Sequence, residues 1–326
     1  MDLTFFIVIV LILGAEFVNG WTDAPNAIAT VISTRVLSPR SAILMASALN
    51  AIGALFGTAV ATTIGKGIIK GDAVNMVTIA AAMVGIIVWS SVAAKYGLPT
   101  SESHALVAGL AGAALATAGP AALVASGWSK VFIGILFSTF LGFAIALSIS
   151  YFIRKFFASS SPIKSKKIFS RLQIFSAGFM AFNHGSNDGQ KFIGVFALAL
   201  VLGGVYPEFT IPLWVILLCS SVMALGTSIG GWQIIKKLGM NMTDLETWQG
   251  FSAETGASVT ILGASFLGIP LSTTHTITTS IMGVGASRGL GAVRWGVSRE
   301  IVMAWFLTFP ICGVIAYTIS LVFSRL

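Results

Sequence analysis

The sequence predicts an all-α polytopic membrane protein built from two related halves, and three observations carry that prediction. Charged residues make up 9% of the 326-residue chain and hydrophobic residues 56%, with a mean hydropathy of +0.93. An average soluble domain is about 25% charged, so this chain has too little charge to cover a water-facing surface. The apolar residues fall into long runs, and not into the short alternating segments of an outer-membrane barrel. Two polar motifs each occur twice, in the same order. This composition excludes a soluble enzyme, a nucleic-acid binder and a disordered chain. The formal net charge of +8 would point to nucleic acid in a soluble protein; here it reflects basic cytoplasmic loops.

The apolar runs occupy 3–18, 41–64, 73–94, 104–118 and 120–153, then 172–183, 192–205, 211–235, 250–268, 275–287 and 300–323. A spanning helix with its connection takes roughly 25–30 residues, which leaves room for about 10–12 helical segments and no sizeable extramembrane domain. Between the halves, 154–171 carries Arg154, Lys155, Lys164, Lys166, Lys167 and Arg171 and no acid. Ser159, Ser160, Ser161 and Pro162 are expected to make its centre flexible, and the positive-inside rule puts it in the cytoplasm. The expected organisation is an N-terminal repeat 1–153, a linker 154–171 and a C-terminal repeat 172–326. Cys219 and Cys312 sit in apolar runs without disulfide or metal spacing and read as small core residues.

The first repeated motif is Asn19-Gly20-Trp21-Thr22-Asp23-Ala24-Pro25-Asn26, which aligns with His184-Gly185-Ser186-Asn187-Asp188-Gly189-Gln190-Lys191 at an offset of 165. The second is Gly97-Leu98-Pro99-Thr100-Ser101-Glu102-Ser103-His104, which aligns with Gly268-Ile269-Pro270-Leu271-Ser272-Thr273-Thr274-His275 at an offset of 171. Duplication of this kind is typical of secondary transporters, whose halves build one site near the midplane. An odd number of crossings per half would invert the halves; the residues alone leave that parity open.

Each motif has its own chemistry. Pro25 removes a backbone donor and disfavours helix before it, so a helix break is expected at Asp23, tolerated only where it lines a cavity or is buried in protein. Freed carbonyls, the carboxylates of Asp23 and Asp188 and the amide oxygens of Asn26 and Asn187 are hard ligands for an alkali or alkaline-earth cation, and His/Cys clusters with transition-metal spacing are missing. Lys191 adds a cation near an expected anion. In the second motif, Pro followed by Ser/Thr marks a helix start, whose free N–H groups suit phosphate or sulfate. Ser101, Ser103, Ser272, Thr273 and Thr274 add hydroxyls, and Thr100 stands beside them. The plainer readings are acids and serines that only cap helix ends; they leave the doubled hydroxyl clusters unexplained. His104 and His275 are read as braces behind the site. Glu254, at the start of the run leading to the second motif, is an ion-site candidate. Glu102 and Glu16 are set aside, Glu16 to a place near a membrane interface. Ser101, His104 and Asp23 have the residue types of a hydrolytic triad, but no nucleophile elbow accompanies them. A channel fits broken helices around a closed, doubled site less well than alternating access does.

These motifs resemble the inorganic phosphate transporters (PiT family), which cotransport phosphate with sodium or protons. The resemblance runs over nearly the whole chain and rests on Asn19 to Leu37, His184 to Gly194, and Phe251-Ser252-Ala253-Glu254-Thr255 through Gly268 to His275. It implies two inverted repeats with broken or half-length helices meeting at a central site, phosphate and cations bound there, and dimers. Asp23 and Asp188 look like the family's paired aspartates, Ser101 and Ser272 like its paired serines, and Glu254 like its functional glutamate. Thr22 and Lys191 each stand where the family usually has Asn, and Asn50 stands where many relatives carry a glutamate. The reading is a sodium-coupled phosphate symporter of a prokaryotic inner membrane, with no cofactor and no nucleic-acid partner; a proton-coupled phosphate carrier, a sulfate carrier and an anion channel are the alternatives. Thr100, Ser101, Ser103, Gln190, Lys191, Ser272, Thr273 and Thr274 are assigned to phosphate, and Asp23, Asn26, Asn187, Asp188 and Glu254 to Na+.

Overall fold

The computed structural model describes residues 3–324. Fourteen α-helices appear among them: α1 Leu3–Ser33, α2 Pro39–Ala54, α3 Ala59–Gly67, α4 Met76–Lys95, α5 Glu102–Ala118, α6 Ala125–Leu136, α7 Gly142–Phe157, α8 Pro162–His184, α9 Gln190–Leu202, α10 Leu213–Ile229, α11 Trp232–Lys236, α12 Thr247–Phe266, α13 Thr273–Ala286 and α14 Trp295–Phe323. This exceeds the expected number because several runs are divided. The run 41–64 becomes α2 and α3, bent by 67°, and α10 bends by 64° into the helical segment Trp232–Asn241. Short π-helical turns join α6 to α7 and α8 to α9. By length and composition α1, α4, the α6–α7 unit and α14 can each cross a membrane; with each bent pair counted as one span there are six.

Local signals start these helices in matched places. Ser38 caps α2 ahead of Pro39. Asn75 and Thr78 form a capping box on α4, and Glu246 and Gln249 form one on α12, 171 residues later. Ser101 Oγ accepts from the His104 amide at 3.3 Å and Ser272 Oγ from the His275 amide at 3.2 Å, so the Pro-Thr-Ser and Pro-Leu-Ser motifs do begin helices. Gly97 and Gly268 precede these caps at φ +64° and +62°, a left-handed turn that suits glycine.

Each half folds one helix pair back on itself. Before α4 and after α5 the chain is tied by Lys70 N–H to Ala122 O (2.8 Å) and Val124 N–H to Ile68 O (3.1 Å). Before α12 and after α13 it is tied by Arg294 N–H to Met242 O (3.0 Å) and Thr243 Oγ1–H to Ala292 O (2.9 Å). The α4–α5 and α12–α13 pairs are therefore hairpins with closed bases. Their tips meet: Ser103 Oγ donates to Leu271 O at 2.7 Å, and the His104 and His275 rings lie 4.5 Å apart. The second base lies beside the basic segment, where Arg154 donates to Ser287 O. The first base lies beside α3, whose Lys66 sits over Phe209 on the segment that follows Gly203, itself packed on Phe5 near the start of α1.

Two expectations are corrected. Helix α1 runs through Pro25 without a break. Proline deprives only the carbonyl one turn earlier of its partner, and close packing of α1 against α10 and α4 holds the helix. In the second copy the chain widens into a π turn, Gly185–Gly189. The basic segment 154–171 is mostly helix and not loop: only Ala158–Ser161, at the centre where the three serines stand, lie outside helix, and Pro162 opens α8. Its charges lie largely on exposed helix.

The interior has three layers. One apolar cluster includes Phe5, Ile12, Ile64, Phe192 and Phe196, and a second includes Ile28, Val31, Ile234, Ile277 and Trp305. On α1 the residues between them, from Glu16 to Asn26, supply a buried polar layer. Cys219 and Cys312 are buried and unpaired, as expected of core residues. Gln190 leaves the expected phosphate set on geometric grounds. Its Oε1 accepts from the amides of Val60 (3.0 Å) and Ala61 (3.4 Å), and its Nε2 donates to Phe56 O (3.1 Å) and Ser186 O. It caps α3, whose own Thr58 makes no side-chain cap. Gln190→Leu is expected to lower stability by about 0.5–2 kcal/mol, the usual cost of losing a cap, seen as a lower Tm in detergent, with phosphate affinity retained. Unchanged Tm with lost phosphate binding would return Gln190 to the anion site.

Candidate functional site

The polar layer of α1 meets the π turn after α8, the start of α9 and the two hairpin tips. Asp23 and Asp188 are both buried here. Thr274 Oγ1 donates to Asp23 Oδ1 at 3.2 Å, and Thr273 Oγ1 to Asp188 Oδ2 at 2.9 Å. Asn26 Nδ2 donates to Thr274 Oγ1 at 2.9 Å and reaches Thr273 Oγ1 at 3.4 Å. Lys191, fully buried, donates to Asp188 Oδ1, to Ser103 Oγ and, at 3.1 Å, to Leu271 O. Seven predicted residues thus form one network: Asp23, Asn26, Ser103, Asp188, Lys191, Thr273 and Thr274. With Lys191 as an ammonium, the two aspartates and the lysine sum to one negative charge. Burial without compensation is costly for such a charge.

The offset alignment reappears as contact geometry. Lys191 occupies the place of Asn26 and Ser103 that of Thr274, and Lys191 bonds Ser103 as Asn26 bonds Thr274. Asn26 Oδ1 and Asn187 Oδ1 are buried with no hydrogen-bond partner among the described residues. Asn187 Nδ2 donates to Ser265 Oγ at 2.9 Å and lies 3.4 Å from Ile269 O, so its amide is anchored and only its oxygen is left over. Two orphaned amide oxygens beside two carboxylates make a donor set for hard cations.

Other predicted residues stand near this network or apart from it. Ser101 and Ser272 cap their helices at the tips, and Thr100 is buried beside Ser101. His104 and His275 touch each other edge to face; His275 stacks on Trp305 at 3.6 Å and His104 lies 4.7 Å from Phe309. They brace the tips from behind. Glu254 is not joined to the aspartates by any hydrogen bond; it forms its own cluster about two helical turns along α1. Its carboxylate accepts from Thr30 Oγ1, from Gln173 Nε2 at 3.1 Å and from Ser176 Oγ.

Sequence reasoning missed or misplaced four groups. Glu16 is not at an interface: it is fully buried in mid-α1, accepting from Asn19 Nδ2 at 3.1 Å. Glu102 is also buried, accepting from Thr22 Oγ1 (3.0 Å) and Ser90 Oγ (2.9 Å). His184 lies 3.5 Å from Asp188 Oδ2 and 3.1 Å from Asn50 Oδ1. Asp23, His184 and Asp188 each offer a ligand atom within 4.8 Å of the others, so a histidine joins the two aspartates in a set of atoms that could hold a cation. The partners of Glu254, Thr30, Gln173 and Ser176, gave no sequence signal, since they are single polar residues scattered through apolar runs.

Thr274 holds this network together, because it donates to Asp23 and accepts from Asn26. Thr274→Val should leave both groups short of a buried partner and cost about 1–3 kcal/mol, whereas Thr274→Ser keeps the hydroxyl. Thermal unfolding of the two purified variants checks this: the valine form should melt clearly lower and the serine form near the parent.

Residues 19–316 match the family described as "Phosphate transporter family". A protein of Rhizobium meliloti named "Probable low-affinity inorganic phosphate transporter" is 44% identical over 303 residues, covering 92% of this chain and 91% of its own. A Bacillus subtilis protein of the same name is 38% identical over 328 residues and 98% of both chains. These relatives are named as transporters, not enzymes. Among solved structures, one described as "The sodium-dependent phosphate transporter" superposes with a TM-score of 0.88 over 100% of both chains at 24% identity, which shows a shared fold. Every side chain of the buried network lies within the matched residues, and the chain belongs to the phosphate transporter family.

Proposed function

We propose that this protein is a sodium-coupled symporter that takes up inorganic phosphate across a prokaryotic inner membrane by alternating access. The observation that carries the reading is the meeting of two capped hairpin tips directly over two buried aspartates with orphaned amide oxygens beside them. At the tips, Ser101 and Ser272 each accept from a backbone amide, leaving the hydroxyl hydrogen to donate to an oxyanion. Free N–H groups of the first turns of α5 and α13 add to the same attraction.

Coupling follows from charge. Phosphate carries one to two negative charges near neutral pH, and at ~4 Å with an effective dielectric of ~20 two like unit charges repel by about 4 kcal/mol. Phosphate beside Asp23 and Asp188 is therefore disfavoured until a cation lies between them. Asp23, Asn26 Oδ1 and Asn187 Oδ1 supply oxygen ligands for Na+, and Glu254 is a second ion position. Two cavities support alternating access. One of about 240 Å³ includes Thr62, Thr63, Lys66 and Lys130, and Thr63 Oγ1 reaches Gly268 O at the second tip (2.8 Å). Another of about 710 Å³ lies by the basic segment and includes Thr34, Arg154 and Lys166, with Thr34 Oγ1 bonded to Gln173, the partner of Glu254, at 2.9 Å.

Residues 1–153 and 172–326 then act as inverted repeats, each contributing one hairpin from its own side, with 154–171 cytoplasmic. A homodimer in the bilayer is carried over from the family resemblance alone.

The test is phosphate uptake into proteoliposomes under separately imposed sodium and pH gradients. An inward sodium gradient should drive accumulation beyond equilibrium; accumulation driven by pH alone would make the proton the coupling ion, and mere equilibration would make the protein a channel. Ser101→Ala and Ser272→Ala should each weaken phosphate binding roughly 10- to 150-fold, the equivalent of ~1.5–3 kcal/mol for a hydrogen bond to a charged group. Wild-type affinity in both would remove these serines from the anion site.

A further inference from the structure

Three repeat-related pairs of the buried network can be compared, and one of them, Asn26 and Lys191, differs in charge; that difference bears on how many cations travel with each phosphate. Asp23 pairs with Asp188 in the repeat, Thr274 with Ser103, and Asn26 with Lys191. In the first half the residue after the aspartate by three positions is a neutral amide. Its Nδ2 donates to Thr274, and its Oδ1 is buried without a partner among the described residues. In the second half the same position bears an ammonium, and its three N–H bonds go to three oxygens: Asp188 Oδ1, Ser103 Oγ and Leu271 O. Lys191 is among the largest fully buried side chains of the protein.

We propose that the Lys191 ammonium stands in for one cotransported cation, so that the second half of the site carries its own counter-charge and only the first half takes one from solution. This rests on the cation-coupled reading of the site given above. An ammonium surrounded by a carboxylate, a hydroxyl and a carbonyl oxygen has the environment a small hard cation would be given. It also has no N–H left for an anion. Direct donation from Lys191 to phosphate requires Nζ to abandon Asp188, Ser103 or Leu271 O, and separation from Asp188 would strand a buried charge. Lys191 is therefore a counter-charge for Asp188 and not a phosphate ligand, which revises the sequence expectation. The first half has no such charge: Asp23 has Thr274 as its donor, and Asn26 offers only an oxygen. A cation that neutralises Asp23 has to be exchangeable, and one that neutralises Asp188 is already covalently attached.

The consequence is a countable change in stoichiometry. The experiment measures cations per phosphate in proteoliposomes from the gradient at which net phosphate flux vanishes, for sodium and for protons, in the wild type and in Lys191→Gln. The glutamine has nearly the length of lysine and restores an amide at the position of Asn26. Its cation count should exceed the wild-type count by one. With a tenfold cation gradient and no membrane potential, one more cation per turnover raises the limiting phosphate accumulation by about tenfold. An unchanged count in Lys191→Gln overturns the proposal, and an unchanged count with a raised phosphate KM would make Lys191 an anion ligand. Should the neutral variant fail to fold, Lys191→Arg decides: it keeps the charge and must keep the wild-type count, and a changed count there overturns the proposal equally. Absence of any sodium effect in the wild type would defeat the sodium reading alone, since the difference of one can still be read in protons.

Discussion

The structure depends on keeping two carboxylates, Asp23 and Asp188, in the middle of a chain that is otherwise made for lipid. Each lies between apolar clusters that fill both ends of the bundle. Their burial dictates what surrounds them: an ammonium and an imidazole at Asp188, and threonine hydroxyls at both. Those partners come from α9, α8 and α13, all in the second half, so Asp188 is satisfied within its own half and Asp23 only where α13 closes on α1. The charge that remains is what a cotransported ion would neutralise.

The hairpins supply the other half of the arrangement. A helix that starts inside the protein has first-turn N–H groups that no preceding turn can satisfy. Ser101 and Ser272 take one each, and the tips bring the rest over the aspartates. On the proposed reading, anion-attracting backbone beside anion-repelling carboxylates makes occupancy by anion and cation mutually dependent, with linkage equal in both directions. The base of each hairpin is closed by hydrogen bonds of its own.

Much of this was legible in the sequence because it was duplicated. Pro-Thr-Ser and Pro-Leu-Ser after a glycine announce capped helix starts by local chemistry alone, and the structure shows them at φ +64° and +62° glycines. The aspartates stood out because acids are rare in apolar runs. What the sequence concealed depended on packing at long range. Pro25 argues for a break, yet α1 continues through it, packed against α10 and α4. Gln190 has the side chain of an ion or anion ligand and serves instead as the cap of a helix some 130 residues earlier in the chain. Glu16 and Glu102 gave the same signal as Asp23 but lacked an acidic counterpart in the other half, and repeat symmetry led away from them. His184 was hidden for the same reason: its counterpart is Asn19, a different residue type. Lys191 was read as an anion's partner because a lysine near a phosphate motif suggests one; in the structure it contacts Asp188, Ser103 and Leu271 O.

The central claim is that phosphate enters this site only with a cation between it and Asp23 and Asp188. The most direct measurement is calorimetric phosphate binding to the purified protein over a sodium series, at fixed pH and with ionic strength held constant by choline. The account predicts that phosphate affinity rises with sodium and that phosphate raises sodium affinity by the same factor, with both effects lost in Asp23→Asn. Equal phosphate affinity in choline and in sodium would contradict it.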